Sequence, residues 1–385
     1  MRPSAVPIGA YYLALCGAMG LYLPYLSLYL ASVGLSDAAA VQVQAVVPIM
    51  GLFVPPLLGL LADARHARIW LLRGFSAATA VTFAALGVVG GHVVAITVVL
   101  AAFALARSPL IALADATAHE HVVHHGGSYG RLRTWGSVGY LAMALLAGAL
   151  YDATSIRLMV WVTTAMFGAL VVCAWQMPAA PPRREAGALG GIGRLLQTRS
   201  LWWFLAAVVF GQAAGVCYDT GLALHLRHLG YGKDFLGLVV AVGVGAEVVL
   251  LTFSGALLAR VRAEHTLAAA FAIGAARWVL LSVATSTAAL VIQAPLHAFS
   301  FALYWVSGTT LVREYAGPRA SAAGQGLFAA AAAVGGMVGN LGGGALFERG
   351  GGRLLFSVAA ASAALAATLA VVHAALRRAT GSREP

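Results

Sequence analysis

Apolar runs long enough to cross a lipid bilayer recur about twelve times along the 385-residue chain. A membrane-spanning helix needs about 20 mostly apolar residues. Only 10% of the residues are charged, against about 25% in soluble domains, so the chain cannot cover a surface that faces water. The sequence therefore predicts an all-α membrane protein with twelve transmembrane helices, at residues 8–32, 40–62, 69–90, 92–116, 132–151, 156–177, 200–226, 235–259, 265–284, 286–312, 322–347 and 353–376.

A repeat divides these runs into two pseudosymmetric halves. The segment Tyr22 to Gly34 matches Tyr218 to Gly230 at five positions, and the same offset aligns two further sites. Equivalent loops then lie on one side of the membrane, so each repeat contains an even number of spans. We expect a six-helix bundle at 1–177, a linker at 178–199, and a second six-helix bundle with a short tail at 200–385.

The arginines indicate the orientation in the membrane. With a cytoplasmic N-terminus, most of them fall in inside loops and tails, whereas the outside loops keep only Arg157, Arg227, Lys233, Arg349 and Arg353. This asymmetry follows the positive-inside rule. The sequence predicts a multi-pass protein of the bacterial cytoplasmic (inner) membrane with both termini cytoplasmic. The formal charge of +11 comes from basic residues in the loops, where they set the orientation of the chain in the membrane. No nucleic-acid partner is therefore expected.

Ionisable residues within the apolar runs are the strongest site signals. A charge at bilayer depth costs roughly 2.5–3.5 kcal/mol, so it requires a partner, a water-filled cavity or a function. Glu247, Arg277 and His297 lie in three neighbouring spans. A movable arginine contact can change the proton affinity of a nearby carboxylate, which makes these three the candidates for proton coupling. A static Glu247–Arg277 ion pair, with His297 as a packing residue, is the alternative.

Arg107 and Asp219 are charges of opposite sign in opposite halves. They could form a salt bridge that a substrate displaces, with the arginine binding a substrate carboxylate. Alternatively, the two charges simply neutralise each other. Aromatic and polar residues within the spans complete the predicted substrate site: Tyr22, Tyr25, Gln212, Tyr218, Tyr304, Trp305 and Asn340. For each of the aromatic residues, packing or a place in the belt at the membrane interface is the alternative.

Asp115 lies near the predicted cytoplasmic end of its span, eight residues after Arg107. At 100° per residue it lies about 80° around the helix from that arginine. We therefore predict that it pairs with Arg131 or Arg133 in a gate.

The loop Gly59-Leu60-Leu61-Ala62-Asp63-Ala64-Arg65-His66-Ala67-Arg68 resembles the Gly-x-x-x-Asp-x-x-x-Arg loop of the major facilitator superfamily. That resemblance implies that Asp63, Arg65 and Arg68 help to close the cytoplasmic gate. The alternative is that these three charges only set the orientation of the chain in the membrane.

A closer resemblance covers essentially the whole chain. The segments from Arg107 to Ala116 and from Tyr129 to Ser137, with Gly245 to Val248, Arg277-Trp278 and Gln293 to His297, look like the phenylpropionate-permease branch, which is related to lactose and nucleoside proton symporters. This resemblance implies proton and substrate machinery built from a Glu, an Arg and a His. Arg107 and Asp219 depart from the pattern of that branch. The resemblance therefore says less about the substrate than about the fold or the mechanism.

Motifs of ATPases, serine hydrolases and zinc proteases do not occur in the sequence. We predict no enzyme activity, no cofactor and no metal. The preferred function is proton-coupled symport of a small organic acid, aromatic acids included, by a monomer whose partners are its substrate, protons and the bilayer. A transporter or exporter of a neutral solute, such as an oligosaccharide or nucleoside, is the alternative, and a non-transporting receptor or scaffold is a further one.

Overall fold

The computed structural model describes residues 5–53, 68–177, 195–258 and 260–381. All of the regular elements in these ranges are helices. In chain order they are α1 (Val6–Tyr22), α2 (Leu26–Ser32), α3 (Asp37–Gln42), α4 (Arg68–Ala85), α5 (Val93–Arg107), α6 (Leu110–His125), α7 (Tyr129–Ala153), α8 (Leu158–Gln176), α9 (Arg199–His228), α10 (Lys233–Leu258), α11 (Ala263–Val283), α12 (Thr287–Ile292) and α13 (Leu303–Gly381), with a 3-10 turn at Val43–Ala45 and a π-helical turn at Ala298–Ala302. A further helical stretch covers residues 46–53 after the 3-10 turn.

Within those ranges, seven helices are long and apolar enough to cross a membrane, and α1 with α2 gives an eighth if the bent pair is one span. The two are bent by 48° at Leu23-Pro24-Tyr25. Proline has no N–H to donate, and its ring clashes with the preceding turn, which explains the bend. The count of twelve spans stays a prediction.

The helical run α13 folds back on itself. The hydroxyl of Tyr315 lies 2.8 Å from Nε2 of His373, yet a straight helix would separate these residues by about 87 Å. The amide of Gln325 also donates to the carbonyl of Thr309, across a reversal at Gly317. Gly317 and Gly351 have φ values of 58° and 60°, the left-handed conformation that interrupts an α-helix. Both lie between predicted spans.

The chain forms two compact units. Unit 1 comprises Met1–Arg184 and Ala223–Ala241, and unit 2 comprises Glu185–Leu222 and Val242–Pro385. The end of α9 and the start of α10 thus belong to unit 1, although the remainder of both helices belongs to unit 2. The division at 177 and 200 into two six-helix bundles stays a prediction.

Small residues set the packing inside unit 1. Helix α1 lies against α7 and α8, and α4 lies against α5 and α8. A Cβ at Gly20 would collide with the carbonyl oxygen of Tyr140, and one at Gly139 with that of Leu13. Close backbone approach at small residues is how membrane helices associate without a hydrophobic driving force.

In unit 2, α11 packs along α13. The core between them and α9 contains the stacked rings of Phe204 and Phe328, with Phe271 and Tyr304 beside them. This packing positions the polar face of α11 toward the start of α13, where the candidate site lies.

Candidate functional site

A cavity in unit 2 contains six of the residues that the sequence singled out. It encloses about 490 Å³, counting its open mouth. Its walls come from α9, α11 and the segment around the π-helical turn. The lining residues are Gly211, Gln212, Gly215, Tyr218, Asp219, Ala270, Phe271, Gly274, Arg277, Trp278, His297, Ser300, Phe301, Tyr304 and Ala363.

Arg277 is the central charge of this cavity, and its side chain is held from several directions. The residue is 1% exposed. Its Nε donates to Oε1 of Gln293 at 3.0 Å. Its Nη1 lies 3.2 Å from Nδ1 of His297 and donates to Oγ of Ser300 at 3.3 Å. The guanidinium group is therefore fixed in orientation by three side chains.

The flat faces of the guanidinium group contact aromatic rings. Its central carbon lies 4.0 Å from the ring centre of Tyr218 and 4.6 Å from that of Trp278, within the range of cation–π attraction. The remaining nitrogen, Nη2, is buried and has no hydrogen-bond partner among the described residues. Arg277 also has no salt bridge to a carboxylate in these ranges, so the two N–H groups of Nη2 are left for a ligand.

His297 lies between Arg277 and Glu247. Its Nε2 is 3.5 Å from Oε2 of Glu247, while its Nδ1 faces the guanidinium group. Because arginine can only donate hydrogen bonds, Nδ1 must accept, and the neutral ring carries its proton on Nε2. The structure thus brings the three predicted proton-coupling residues together, in the order Glu247, His297, Arg277, without the direct Glu247–Arg277 ion pair of the alternative interpretation.

An irregular segment between α12 and α13 carries the side chains that contact Arg277. Helix α12 ends at Ile292, Pro295 follows, and the π-helical turn begins at Ala298. Single π-helical turns are frequent at functional sites. Here the irregular segment from Gln293 to Phe301 faces the cavity around Arg277 with His297 and Ser300.

The predicted partners Arg107 and Asp219 lie in different units. Asp219 lines the cavity and is exposed, and within the described ranges it has neither a hydrogen bond nor a salt bridge. In unit 1, Nη1 of Arg107 lies 3.9 Å from Sδ of Met19, and its buried Nε has no partner among the described residues. The displaceable salt bridge between Arg107 and Asp219 stays a prediction.

Two predicted aromatic residues lie in the interior of unit 1. Tyr22 is 2% exposed and packs against Phe83 and Phe103, with ring centres 5.1 and 5.5 Å away. The hydroxyl of Tyr25 donates to the carbonyl of Ala144 at 2.8 Å. The structure gives both residues packing contacts and does not bring them into the cavity around Arg277.

Two predicted residues of unit 2 lie outside the cavity lining. Trp305 is 46% exposed and contacts the ring of Phe328. Asn340 is buried, and its Oδ1 has no hydrogen-bond partner in the described part of the chain. By contrast, Gln212, Tyr218 and Tyr304 do line the cavity.

The predicted gate is described only in part. Asp63 and Arg65 lie outside the described residues, and Arg68 is the first residue of α4. The carboxylate of Asp115 accepts a hydrogen bond from Tyr12, whose ring lies 5.3 Å from the guanidinium carbon of Arg133. Arg131 is exposed, and in the described ranges neither arginine forms a salt bridge with Asp115. Tyr12 therefore contacts both Asp115 and Arg133, and the gate stays a prediction.

Sequence reasoning gave no role to Gln293, Ser300 and Phe301. A signal for them exists, since with His297 they occupy positions i, i+4, i+7 and i+8, which is the spacing of one helix face. Trp278 was likewise noted only as a neighbour of Arg277 in a motif. Gln293 and Ser300 supply acceptors and Trp278 supplies a ring for the guanidinium group, whereas Phe301 stacks on His297.

Comparison with known proteins places this chain in a family. The model of the MFS_1 like family matches residues 7–358. A relative from Escherichia coli (strain K12), named "Probable 3-phenylpropionic acid transporter", is 26% identical over 285 residues, which are 73% of this chain and 75% of the relative. The maltose permease of Geobacillus stearothermophilus is 29% identical over 287 residues, 72% of this chain and 70% of the permease.

Solved structures show the same fold. The crystal structure of nucleoside transporter NupG superposes with a TM-score of 0.84 at 17% identity, covering 96% of this chain and 98% of that one. The POT family transporter PepTSo gives a TM-score of 0.79 at 13% identity, covering 100% and 99%. These matches confirm the resemblance to the major facilitator superfamily: the chain belongs to the MFS_1 like family and is a multi-pass membrane transporter.

Proposed function

We propose that this transporter couples proton entry to uptake of a small organic acid, aromatic acids included, by alternating access. It acts as a monomer in the bacterial cytoplasmic membrane, with both termini cytoplasmic. The relative named for 3-phenylpropionic acid and the aromatic walls of the cavity support this substrate class.

The observation that carries the proposal is the state of Arg277. Its guanidinium group is buried, has no salt bridge to a carboxylate and keeps Nη2 without a partner in the described part of the chain. A buried charge without a counter-ion is costly. A substrate carboxylate that accepts from Nη2 supplies the missing negative charge, while Tyr218 and Trp278 provide faces against which an aromatic ring stacks.

Proton binding acts on the same arginine through His297. Protonation of this ring places a second N–H on Nδ1, which faces Nη1 of Arg277 at 3.2 Å. Two donors cannot share one hydrogen bond, so the contact breaks. Glu247 stabilises the resulting imidazolium through Nε2. Proton uptake at His297, stabilised by the carboxylate of Glu247, therefore frees Nη1 of Arg277 for the substrate, which links the two binding events.

A neutral solute is the second candidate, and Asp219 favours it. This carboxylate lines the same cavity, where it would repel an organic anion and accept hydrogen bonds from the hydroxyl groups of a sugar or nucleoside. The maltose permease and the nucleoside transporter among the similar proteins agree equally well with that function. A receptor on the same fold would bind a ligand without transporting it.

Flux into proteoliposomes under an imposed pH gradient separates these functions. We expect 3-phenylpropionate, and not maltose or uridine, to accumulate when the gradient drives protons inward. Glu247→Gln should abolish this accumulation and leave substrate exchange measurable, whereas Glu348→Gln, at an exposed carboxylate outside the cavity, should have no effect. Uphill uptake that survives in Glu247→Gln would refute the coupling assignment. Flux against the proton gradient would indicate an exporter, and binding without flux a receptor.

A further inference from the structure

A second cleft lies in unit 1, where the segment Ala223–Ala241 packs against α2. It encloses about 620 Å³, counting its open mouth. Most of its wall is aliphatic, formed by Leu28, Ala31, Ile156, Ala223, Leu226 and Leu236. None of its lining residues belongs to the cavity around Arg277.

The charged residues that line this cleft are both cations. They are Arg227 and Lys233, and no carboxylate is among the lining residues that the structure describes. Nη2 of Arg227 contacts both oxygens of Asp37 at 2.6 and 2.8 Å, and Nζ of Lys233 lies 3.2 Å from Asp152. A guanidinium group has five donors and an ammonium group has three. Both cations therefore keep donors for a ligand while their carboxylate partners hold them in place.

Two cations lining one cleft are unusual for this part of the sequence. Cations are disfavoured in the loops on the outer side of a bacterial membrane, and only five are predicted there. Two of the five are Arg227 and Lys233. A third, Arg157, donates from Nη2 to the carbonyl of Ser32 at 3.2 Å, and Ser32 also lines the cleft. Three of the few outer cations thus converge on one apolar cleft.

We propose that this cleft is a second binding site, which takes a small organic anion with an apolar body. The carboxylate of the ligand binds between Arg227 and Lys233, and its hydrocarbon part lies against the aliphatic wall. Because that wall joins Ala223–Ala241 to α2, an occupied cleft holds this segment on unit 1. The inference does not depend on which substrate the cavity of unit 2 transports.

Thermal unfolding of the full chain in phosphatidylcholine nanodiscs tests the site, with hexanoate as the probe. A ligand that binds only the folded protein raises the melting temperature, because it stabilises that state by RT ln(1 + L/Kd), where L is the free ligand concentration. We expect hexanoate to raise it and hexanol, which has the same body without the charge, to leave it unchanged. Arg227→Gln and Lys233→Gln should each raise, about tenfold or more, the hexanoate concentration needed for a given rise in melting temperature, which is the effect of losing one charge-assisted hydrogen bond.

Two further variants separate the cleft from nonspecific attraction to positive charge. Ala31→Phe fills the cleft and leaves both cations, so it should abolish the hexanoate response. Arg349→Gln removes another predicted outer cation that does not line the cleft, so it should preserve the response. Each variant is compared with its own melting temperature without ligand, which corrects for any loss of the Asp37 or Asp152 contact.

Three results would overturn the proposal. An unchanged response in Ala31→Phe would show that hexanoate does not occupy the cleft. A response lost in Arg277→Gln and kept in Arg227→Gln and Lys233→Gln would place the acid in the cavity of unit 2, which supports the proposed function and rejects the second site. A response abolished when phosphatidylglycerol is added to the nanodiscs would assign the two cations to a lipid headgroup.

Discussion

Gln293→Glu offers the sharpest distinction between an acid transporter and a neutral-solute transporter. Gln293 is buried, and its Oε1 accepts from Nε of Arg277 at 3.0 Å. The substitution replaces the amide with a carboxylate of nearly the same shape. Arg277 then acquires a counter-ion within the protein, and a substrate anion has to compete with it.

The expected size of the effect follows from the distance. Two unit charges 3.0 Å apart interact by about 5.5 kcal/mol at an effective dielectric constant of about 20. About half of this is offset by desolvation of the new carboxylate and by its repulsion from the carbonyl of Leu290, to which the amide of Gln293 now donates. The remaining 2–3 kcal/mol or so corresponds to roughly 30- to 150-fold weaker binding of an anion.

Equilibrium binding to the purified chain in nanodiscs measures this change. We expect the dissociation constant of 3-phenylpropionate to rise by that factor, whereas maltose and uridine, which carry no charge, should show little or no change. Gln293→Leu is the control, because it removes the hydrogen bond without adding a negative charge. It should lower the melting temperature but change the affinity for the acid by less than about tenfold.

Two outcomes would refute this reasoning. If Gln293→Glu binds 3-phenylpropionate as tightly as the unaltered chain does, Arg277 does not bind the carboxylate. If Gln293→Glu and Gln293→Leu weaken binding of the acid equally, the loss comes from a distorted cavity and not from the added charge.

Other substitutions test separate parts of the structure. Tyr315→Phe removes the hydroxyl that bonds to His373 and should cost about 1–3 kcal/mol of unfolding free energy; an unchanged melting temperature would contradict that network. Gly139→Ala forces α1 away from α7 and should cost about 1–3 kcal/mol, whereas Gly168→Ala, which has open space around it, should be neutral or stabilising; equal melting temperatures would show that close packing is not required. Asp219→Asn removes a negative charge from the cavity and should raise the affinity for 3-phenylpropionate several-fold; weaker binding would count against the acid as substrate.

Much of the site around Arg277 follows from the rarity of charges in apolar runs. Glu247, Arg277 and His297 stand out in the sequence because so few ionisable residues lie at membrane depth, and the structure brings them together. Their order was not predictable. The sequence indicates which span carries a residue but not how that span is rotated about its axis, so the position of His297 between the two charges appears only in the structure.

The local shape of the backbone and its long-range contacts could not be predicted from the sequence. The π-helical turn Ala298–Ala302 has the sequence Ala-Phe-Ser-Phe-Ala, which carries no pattern that separates it from an ordinary helix. Likewise, the ion pair between Arg227 and Asp37 joins residues 190 positions apart. Local patterns cannot reveal such a contact, so the association of Ala223–Ala241 with unit 1 was not anticipated from the repeat.

The hydroxyl of Tyr315 bears on how the chain is made. It bonds to Ser200 in α9 and to His373 late in α13, so the ribosome releases its two partners at widely separated times. Until the segment around His373 has been made, the hydroxyl of Tyr315 bonds to Ser200 alone, so this part of unit 2 is completed only late in synthesis.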